Sequence, residues 1–333
     1  MSESDQAVIV EGIEKSFGKV KALRGVTFEV ERGQVLGVLG PNGAGKTTTV
    51  NILTTLIQPD KGRAVVAGHD VVKDASAVRR SIMLTGQYAA LDDMLTGAEN
   101  LVMFGRLMGL SKGEAKARSK ELLTEFDLEA AAGRRVSTYS GGMRRRIDIA
   151  CGLVVQPDVV FLDEPTTGLD PRSRQSVWDL VAGFKNLGIT TLLTTQYLEE
   201  ADALSDKIIV IDHGTVIAEG TADELKSRTG GSYCEVVPLN LKDIPSIVAA
   251  LGSLLPEDYR SAITPESDRL AVPAPDGAKT LAEALRRLDD ANIDLVDIAL
   301  RRPSLDDVFL SLTGHVAEVA DDSADAKSLA AKQ

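Results

Sequence analysis

Short apolar runs with the length of a β-strand alternate with stretches of helical periodicity over about the first 225 residues. This alternation is typical of a parallel sheet covered by helices. We predict strands over residues 7–13, 26–31, 35–39, 64–67, 159–162, 190–194, 208–211 and 216–219.

The alternation stops between about residues 88 and 152. Helical patterns such as 97–110 and 111–126 occur there without a convincing strand. The pattern therefore predicts a helical subdomain inserted into an α/β core.

The pattern changes again after Gly230-Gly231 and predicts a small separate α/β domain over residues 229–315. Its closing segment begins with a capping-box-like Ser304 and Asp307 and continues as an amphipathic helix. The apolar face of that helix is Leu305, Val308, Phe309 and Leu312. The Ala-, Asp- and Ser-rich residues 316–333 are expected to be a disordered tail. We predict strands over 234–239, 269–272 and 293–300 and helices over 244–255 and 279–292.

Composition excludes several classes of protein. The chain has 333 residues and a formal net charge of −12, which argues against nucleic acid as its main partner. Its two cysteines, Cys151 and Cys234, lack metal-ligand spacing, and they favour a reducing cytosol. The acidic N-terminus lacks the features of a signal peptide, and no apolar stretch approaches the ~18–20 residues that span a bilayer. If this protein moves something across a membrane, we expect another chain to supply the pore.

A phosphate-binding motif occupies residues 40–47, Gly-Pro-Asn-Gly-Ala-Gly-Lys-Thr. Its glycines allow a tight turn whose N–H groups can cradle phosphates, while Lys46 reaches the β- and γ-phosphates and Thr47 binds Mg²⁺. The alternative is an accidental Gly-rich turn. The apolar run 35–39 before the loop and a helix from residue 48 to 56 after it favour the nucleotide site.

A second phosphate-site element is the apolar run 159–162 followed by Asp163-Glu164-Pro165. Asp163 at the strand end can lie beside Mg²⁺, and Glu164 can act as general base towards an attacking water. Two carboxylates after a strand are more often a solvated turn, but the upstream phosphate loop favours the catalytic interpretation.

After the phosphate loop come Gln87, a Ser140-Gly141-Gly142 signature, the Asp163-Glu164 strand end and Asp170. In this order the motifs resemble those of the nucleotide-binding subunits of ABC transporters, over residues of about 7–225. The resemblance implies a P-loop NTPase fold with a RecA-like core, an antiparallel β subdomain and a helical subdomain (88–152) within residues 1–228. It also implies a head-to-tail dimer in which the signature of one copy completes the ATP site of the other.

Further site residues follow from this resemblance, position by position. Gln87 corresponds to a glutamine that contacts Mg²⁺ or water, Asp170 to a dimer-interface aspartate, and Phe17 to the aromatic side chain that stacks on adenine. A simple core aromatic is the alternative for Phe17. The implied nucleotide contacts are Phe17, Gly40, Pro41, Asn42, Gly43, Ala44, Gly45, Lys46, Thr47, Thr48, Gln87, Ser140, Gly141, Gly142 and Asp170.

The chain departs from the family pattern at Gln196, where most members have a switch histidine. A glutamine amide can donate a hydrogen bond to the γ-phosphate but carries no charge at neutral pH. The resemblance therefore implies a catalytic set of Lys46, Glu164 and Gln196, with Mg²⁺ contacts from Thr47, Gln87 and, through water, Asp163.

Gln196, the Tyr-Ser-Gly-Gly-Met-Arg-Arg-Arg signature and the closing segment 301–309 are similar to daunorubicin/doxorubicin-resistance ATP-binding proteins of actinobacteria. The similarity is especially close to mycobacterial members linked to export of phthiocerol dimycocerosates. It implies two ATPase copies at the cytoplasmic face of the membrane, held by separate permeases whose coupling helices meet residues 88–105. It leaves open whether the cargo is a hydrophobic drug or a complex lipid. It also implies a C-terminal domain that supports dimerisation or permease assembly, although residues 305–312 could equally form that domain's own core.

Two other functions remain as alternatives. An ABC importer subunit would carry the same ATPase motifs. An ABC ATPase of DNA repair or translation is disfavoured, because too few residues separate Lys46 from Ser140 for a long coiled coil and the chain holds one cassette.

Overall fold

The computed structural model describes residues 5–86, 90–229, 231–255 and 269–313. The chain divides between Ala222 and Asp223 into two compact units. The strands of the first unit are β1 (Gln6–Phe17), β2 (Val20–Glu31), β3 (Val35–Leu39), β4 (Lys61–Val66), β5 (His69–Asp70), β6 (Ile82–Thr85), β7 (Val159–Asp163), β8 (Thr190–Thr195), β9 (Lys207–Asp212) and β10 (Thr215–Gly220). Its helices are α1 (Lys46–Leu53), α2 (Ala75–Ser81), α3 (Gly97–Leu107), α4 (Lys112–Glu125), α5 (Gly141–Gly152), α6 (Pro171–Asn186) and α7 (Leu198–Leu204).

The central sheet of the first unit has six strands in the order β10-β9-β3-β8-β7-β6. Strands β9, β3, β8, β7 and β6 run parallel, and only β10 is antiparallel to its neighbour. In the register of this sheet, Thr194 on β8 lies opposite both Val38 on β3 and Asp163 on β7.

Both faces of the central sheet are buried, which explains the continuous apolar runs of its strands. Along β7, Val159 and Phe161 belong to one hydrophobic cluster, whereas Val160 and Leu162 belong to another. Successive residues of a strand point to opposite faces. The first cluster includes residues of the antiparallel sheet β2-β1-β4-β5, and the second includes residues of α3, α4, α5 and α6.

The helical region begins its first two helices with capping boxes. Thr96 and Glu99 cap α3 reciprocally, and Ser111 and Glu114 cap α4 in the same way. These caps satisfy N–H groups that a helix leaves without intrahelical acceptors. The predicted helical subdomain is thus present over its described residues, 90–152.

The second unit is a three-stranded antiparallel sheet in the order β12-β11-β13 with two helices packed on one face. The Ser304–Asp307 capping box is confirmed, since Ser304 N–H donates to Asp307 Oδ2 at 2.8 Å and Asp307 N–H donates to Ser304 Oγ at 3.2 Å. Its elements are α8 (Ala222–Thr229), β11 (Tyr233–Pro238), α9 (Ile244–Ala250), β12 (Leu270–Pro273), α10 (Ala278–Asp290), β13 (Leu295–Arg301) and α11 (Leu305–Thr313).

Most of the apolar face of the closing helix, α11, is buried. Leu305, Val308 and Phe309 are buried, whereas Leu312 is exposed. Most of the face is therefore already covered within the chain.

Several boundaries differ from the predictions. The second unit begins at Asp223, inside α8, and not after residue 228, where the Gly-rich composition change had placed it. Helix α1 starts at Lys46, two residues earlier than predicted, and α9 ends at Ala250, before a turn that contains Gly252. Strand β6 (Ile82–Thr85) was not predicted. The predicted tail 316–333 lies outside the described residues.

Candidate active site

The sheet order brings the sequence motifs to one edge. Strands β3, β8, β7 and β6 are consecutive parallel neighbours, so their carboxyl ends lie side by side. The phosphate loop follows β3, Gln196 follows β8, Asp163 and Glu164 end β7, and Gly86 follows β6. Ligands of open α/β sheets bind at this edge.

The phosphate loop has the backbone geometry that its glycines permit. Gly43 and Gly45 have φ values of 80° and 111°, in the region that side chains rarely adopt. A Cβ on Gly45 would lie 2.8 Å from the Ala22 carbonyl oxygen, so strand β2 packs directly against the loop. Gly45 also precedes α1 without a capping side chain, which leaves the first N–H groups of that helix to an anion.

Lys46 is buried between the loop and a carboxylate, with 5% of its side chain exposed. Its Nζ donates to the carbonyl oxygens of Gly40 at 2.7 Å and Pro41 at 3.2 Å. The same atom lies 3.9 Å from Glu164 Oε1. The lysine charge is thus directed at the space between loop and carboxylate, where a phosphate chain would lie.

Two threonine hydroxyl groups lie close to the Asp163 carboxylate beside the phosphate loop. Thr47 Oγ1 lies 3.4 Å from Asp163 Oδ1, and the Thr194 hydroxyl donates to the same carboxylate oxygen. Among the described residues no group of three or more His, Cys, Asp or Glu side chains could hold a metal ion. A carboxylate and a hydroxyl at this distance fit Mg²⁺, which takes oxygen ligands and is held mainly by one or two carboxylates and substrate phosphates.

Glu164 is held in an unusual backbone conformation, with φ of 49°. Its N–H donates to both the carbonyl oxygen and the hydroxyl of Thr194, at 3.1 Å each. Thr167 Oγ1 donates to Glu164 Oε2 at 3.4 Å, and only 10% of the side chain is exposed. A strained, hydrogen-bonded position of this kind orients a carboxylate towards the phosphate site, where it can accept a proton from water.

The signature residues form the start of α5. Ser140 is the N-cap and its Oγ accepts the Met143 N–H at 3.3 Å. Ser140 and Gly141 are exposed, whereas Gly142 is buried and leaves no room for a Cβ, which would lie 2.3 Å from Ser173 Oγ. The exposed cap and the helix N-terminus are open to an anion from outside the chain.

Asp170 caps the neighbouring helix α6. Its Oδ1 accepts the Ser173 N–H at 3.0 Å, and Ser173 Oγ donates to its Oδ2 at 2.6 Å. The Ser173 hydroxyl, followed by its N–H, holds the pKa of this carboxyl below its ordinary value. The signature and Asp170 therefore share one contact, Ser173.

The remaining predicted residues differ in their surroundings. Phe17 has 51% of its surface exposed, with Lys15 Nζ 5.8 Å from its ring centroid, so the alternative of a core aromatic is wrong. Phe17 pairs with Val20 on β2. Two residues further along β2, Ala22 lies against Gly45 of the phosphate loop. Gln196 is half-buried at the end of β8. Gln87 lies outside the described residues.

Sequence reasoning missed four polar residues that hold this edge together: Thr194, Arg145, Asp148 and Glu200. Glu200 is fully buried and its Oε1 accepts hydrogen bonds from Thr166 at 2.8 Å and Trp178 at 3.0 Å. A signal was present for Asp148, which interrupts the otherwise apolar run 147–151. Only the tertiary structure shows what these residues contact.

Comparison with known proteins places the chain among transporter ATPases. The ABC transporter family profile matches residues 23–167. The chain is 67% identical to the doxorubicin resistance ATP-binding protein DrrA of Mycobacterium tuberculosis, over 94% of this chain and 95% of that protein. It is 54% identical to the daunorubicin resistance ATP-binding protein DrrA3 of Streptomyces coeruleorubidus, over 93% of this chain and 97% of that protein.

A solved structure agrees with these sequence relatives. It is the dimeric structure of a post-hydrolysis state of an ATP-binding cassette bound to ADP and Pi. It matches with a TM-score of 0.58 and 26% identity, and it covers 64% of this chain and 98% of that one. In this chain, no described helix is long and apolar enough to cross a membrane.

Proposed function

Because the chain belongs to the ABC transporter ATP-binding proteins of the doxorubicin/daunorubicin-resistance type, we propose that two copies of it form a head-to-tail dimer around two ATP molecules. The chain is the ATP-hydrolysing subunit of an exporter, and ABC cassettes work as dimers with transmembrane permeases. The proposal concerns how this chain's own residues carry out that work.

One constellation carries the catalytic part of the proposal: Lys46 Nζ is 3.9 Å from Glu164 Oε1, and Thr47 Oγ1 is 3.4 Å from Asp163 Oδ1. Two opposite charges and two oxygen ligands thus converge at the end of the phosphate loop. This is the arrangement that binding and hydrolysis of a nucleoside triphosphate require.

In the mechanism, the N–H groups at the start of α1 bind the phosphates, and Lys46 binds the β- and γ-phosphates. Thr47 and Asp163, with Gln87, would hold Mg²⁺, which neutralises phosphate charge when bound. Glu164 accepts the proton of the attacking water, and its fixed backbone orients it for this step.

Two further residues orient the nucleotide. Gln196 donates an amide hydrogen bond to the γ-phosphate without adding charge. Phe17 stacks on adenine, since an exposed aromatic ring near the loop offers its face to a base.

The dimer completes each site. Ser140, Gly141 and Gly142 of one copy present an exposed helix N-terminus, which we assign to the γ-phosphate held by the other copy. Asp170 beside them lies at the same interface, since Ser173 contacts both segments. The post-hydrolysis dimer of a related cassette supports this assembly.

The complex works at the cytoplasmic face of the membrane, where the permease binds the ATPase through residues 88–105. The cargo is a hydrophobic drug of the anthracycline kind or a complex lipid. The names of the two resistance proteins favour a hydrophobic drug as the transported cargo.

Transport by inverted membrane vesicles that contain the ATPase and its permease tests this function. Lys46→Ala is expected to abolish ATP-dependent uptake of a fluorescent anthracycline, because the phosphates lose their buried cation. Lys61→Ala is the control: Lys61 is exposed and pairs with Glu14 on the surface, so uptake is expected to persist. Uptake by Lys46→Ala at the wild-type rate would contradict the proposal.

The dimer has its own test. Glu164→Gln is expected to bind ATP without hydrolysing it, and therefore to accumulate as an ATP-loaded dimer in size-exclusion chromatography. A Glu164→Gln variant that turns over ATP like the wild type would show that Glu164 is not the base.

A further inference from the structure

Three consecutive arginines on α5 have three different environments. Arg144 is partly exposed and pairs with Asp93 at 2.7 Å. Arg146 donates to the Phe126 carbonyl oxygen at 3.0 Å and lies 3.4 Å from Asp127 Oδ2. Among the residues that the structure describes, the hydrogen bonds and ion pairs of both side chains go to the helical region. Arg145 is different, because it is 90% buried and directed towards the central sheet.

Arg145 connects α5 to two segments that follow strands of that sheet. Its Nε donates to the Pro165 carbonyl oxygen at 2.8 Å, and its Nη1 donates to the Gly86 carbonyl oxygen at 2.9 Å. Pro165 directly follows Glu164, and Gly86 directly follows β6. One guanidinium thus joins the helix that starts with the signature to the carboxyl ends of β7 and β6.

Asp148, one turn further along α5, holds this guanidinium. Its Oδ2 lies 3.5 Å from Arg145 Nη1, with 10% and 7% of the two side chains exposed. Its Oδ1 accepts the Ala90 N–H at 3.3 Å, so the pair contacts the described residues on both sides of 87–89.

Stability alone is a weak explanation for this pair. Burial lowers the pKa of Arg145 and raises that of Asp148, against their mutual attraction. Arg145 Nη2 is buried and has no hydrogen-bond acceptor among the described residues. Buried ion pairs commonly contribute no more stability than apolar residues of similar volume, although loss of one partner is costly.

We infer that Arg145, held by Asp148, is a positioning residue that fixes the signature helix relative to the segments bearing Glu164 and following β6. The inference rests on the proposed role of Glu164. The side chain of Arg145 couples movement of the signature helix to movement of the segment that bears the Glu164 carboxylate. Nucleotide binding depends on the phosphate loop, which Arg145 does not touch in any described contact. Loss of the guanidinium therefore lowers the rate of hydrolysis and spares ATP binding.

The test compares Arg145→Gln with Arg146→Gln in the full chain assembled with its permease. Arg145→Gln is expected to lower kcat by between about 10- and 100-fold, the loss typical of a misplaced catalytic group, with KM and ATP-binding stoichiometry within about twofold of wild type. Arg146→Gln is expected to keep kcat within about twofold, because its contacts stay within the helical region. An equal loss of kcat in both variants, or wild-type kcat in Arg145→Gln, would overturn the inference.

A second variant covers the case in which Arg145→Gln fails to fold. Asp148→Asn keeps the size of the side chain and the acceptor for Ala90 but removes the charge opposite Arg145. It is expected to lower kcat without changing ATP-binding stoichiometry, and wild-type kcat in this variant would likewise contradict the inference. Glu164→Gln separates the two proposals: if it is inactive while Arg145→Gln is fully active, only the positioning role is wrong.

Discussion

Thr194 and Glu164 are joined by two hydrogen bonds, because the Glu164 N–H points at both the carbonyl oxygen and the hydroxyl of Thr194, at 3.1 Å each. The same hydroxyl donates to Asp163. One fully buried threonine on β8 therefore holds the carboxylate of Asp163 and the backbone of Glu164 at the end of β7.

If Asp163 and Glu164 have their proposed roles, Thr194→Val is expected to lower kcat roughly tenfold, since loss of the hydroxyl's hydrogen bonds to the Asp163 carboxylate and the Glu164 N–H costs about 1–3 kcal/mol. Valine has nearly the same shape, so the change tests the hydroxyl and not the packing. Steady-state ATP hydrolysis measures the effect, and Thr194→Ser is expected to restore most of the rate.

Thr191 provides the control on the same strand. Its hydroxyl is buried and has no hydrogen-bond partner among the described residues. Thr191→Val is therefore expected to leave kcat within about twofold of wild type and to raise the free energy of unfolding by about 1 kcal/mol. If Thr191→Val lost as much activity as Thr194→Val, the specific role of the Thr194 hydroxyl would be refuted.

Gly142→Ala is expected to destabilise the protein by about 1–3 kcal/mol, the usual cost of an overpacked site. A Cβ at this position would lie 2.3 Å from Ser173 Oγ and 2.7 Å from Ser173 Cβ. The serine hydroxyl would have to leave Asp170 Oδ2, to which it donates at 2.6 Å. Urea denaturation of the two proteins measures the difference.

The neighbouring Gly141→Ala separates the steric effect of a Cβ from the effect of replacing a glycine as such. Its Cβ would meet only Leu169 Cδ2, at 3.6 Å, which is ordinary contact. Alanine also favours a helix over glycine by up to about 1 kcal/mol, so Gly141→Ala is expected to be neutral or slightly stabilising. Equal destabilisation by both changes would contradict the steric argument.

The strands of the central sheet were predictable because both of its faces are buried. Strand β3 was predicted to the residue, and β7 and β8 to within one residue. Strands β1 and β2 extend further than predicted, to Phe17 and from Val20, because the residues at their outer ends are mostly exposed or partly exposed and form no apolar run. Apolar runs indicate where a chain is buried, and they do not show where a ladder of backbone hydrogen bonds continues into solvent.

The motifs of the candidate site were also predictable, whereas their supports were not. The phosphate loop and Asp163-Glu164 are local patterns at strand ends. The contacts of Thr194 and Arg145 depend on which strands are neighbours, and strand order is a non-local property that periodicity does not contain. The structure places the described site residues, but every role predicted for them in ATP binding and hydrolysis stays a prediction, including those of Lys46, Asp163 and Glu164.

Gln196→His is expected to retain ATP hydrolysis and to make kcat depend on pH between about 5.5 and 7.5, because an imidazole titrates with an ordinary pKa of about 6.5. The wild-type glutamine side chain has no titrating group. The pH–rate profiles of both proteins test this role. Gln175→His is the control, since Gln175 is exposed on α6 and donates to Asp179 at 2.9 Å, and its profile is expected to match wild type. Identical profiles for Gln196→His and wild type would show that residue 196 does not contact the reacting phosphate.

Glu200→Gln is expected to stabilise the protein near pH 8 and to lose this advantage as the pH falls from the raised pKa of folded Glu200 to the ordinary value of 4.5. Burial raises the pKa of Glu200 above its ordinary value of 4.5. The folded protein therefore binds this proton more tightly than the unfolded chain, so the favourable contribution is complete below the unfolded pKa and is lost as the pH rises through the folded pKa. Each pKa unit of difference is worth roughly 1.4 kcal/mol. Glutamine keeps the acceptor oxygen for Thr166 and Trp178 and removes the buried charge.

The neighbouring Glu199→Gln isolates this effect, because Glu199 is exposed in the same first turn of α7 and loses the same favourable interaction with the helix dipole. Urea denaturation of wild type, Glu200→Gln and Glu199→Gln between roughly pH 4 and pH 8 gives their free energies of unfolding. The two variants are compared at each pH. A gap between Glu200→Gln and Glu199→Gln that stays constant over this range would mean that burial does not raise the pKa of Glu200.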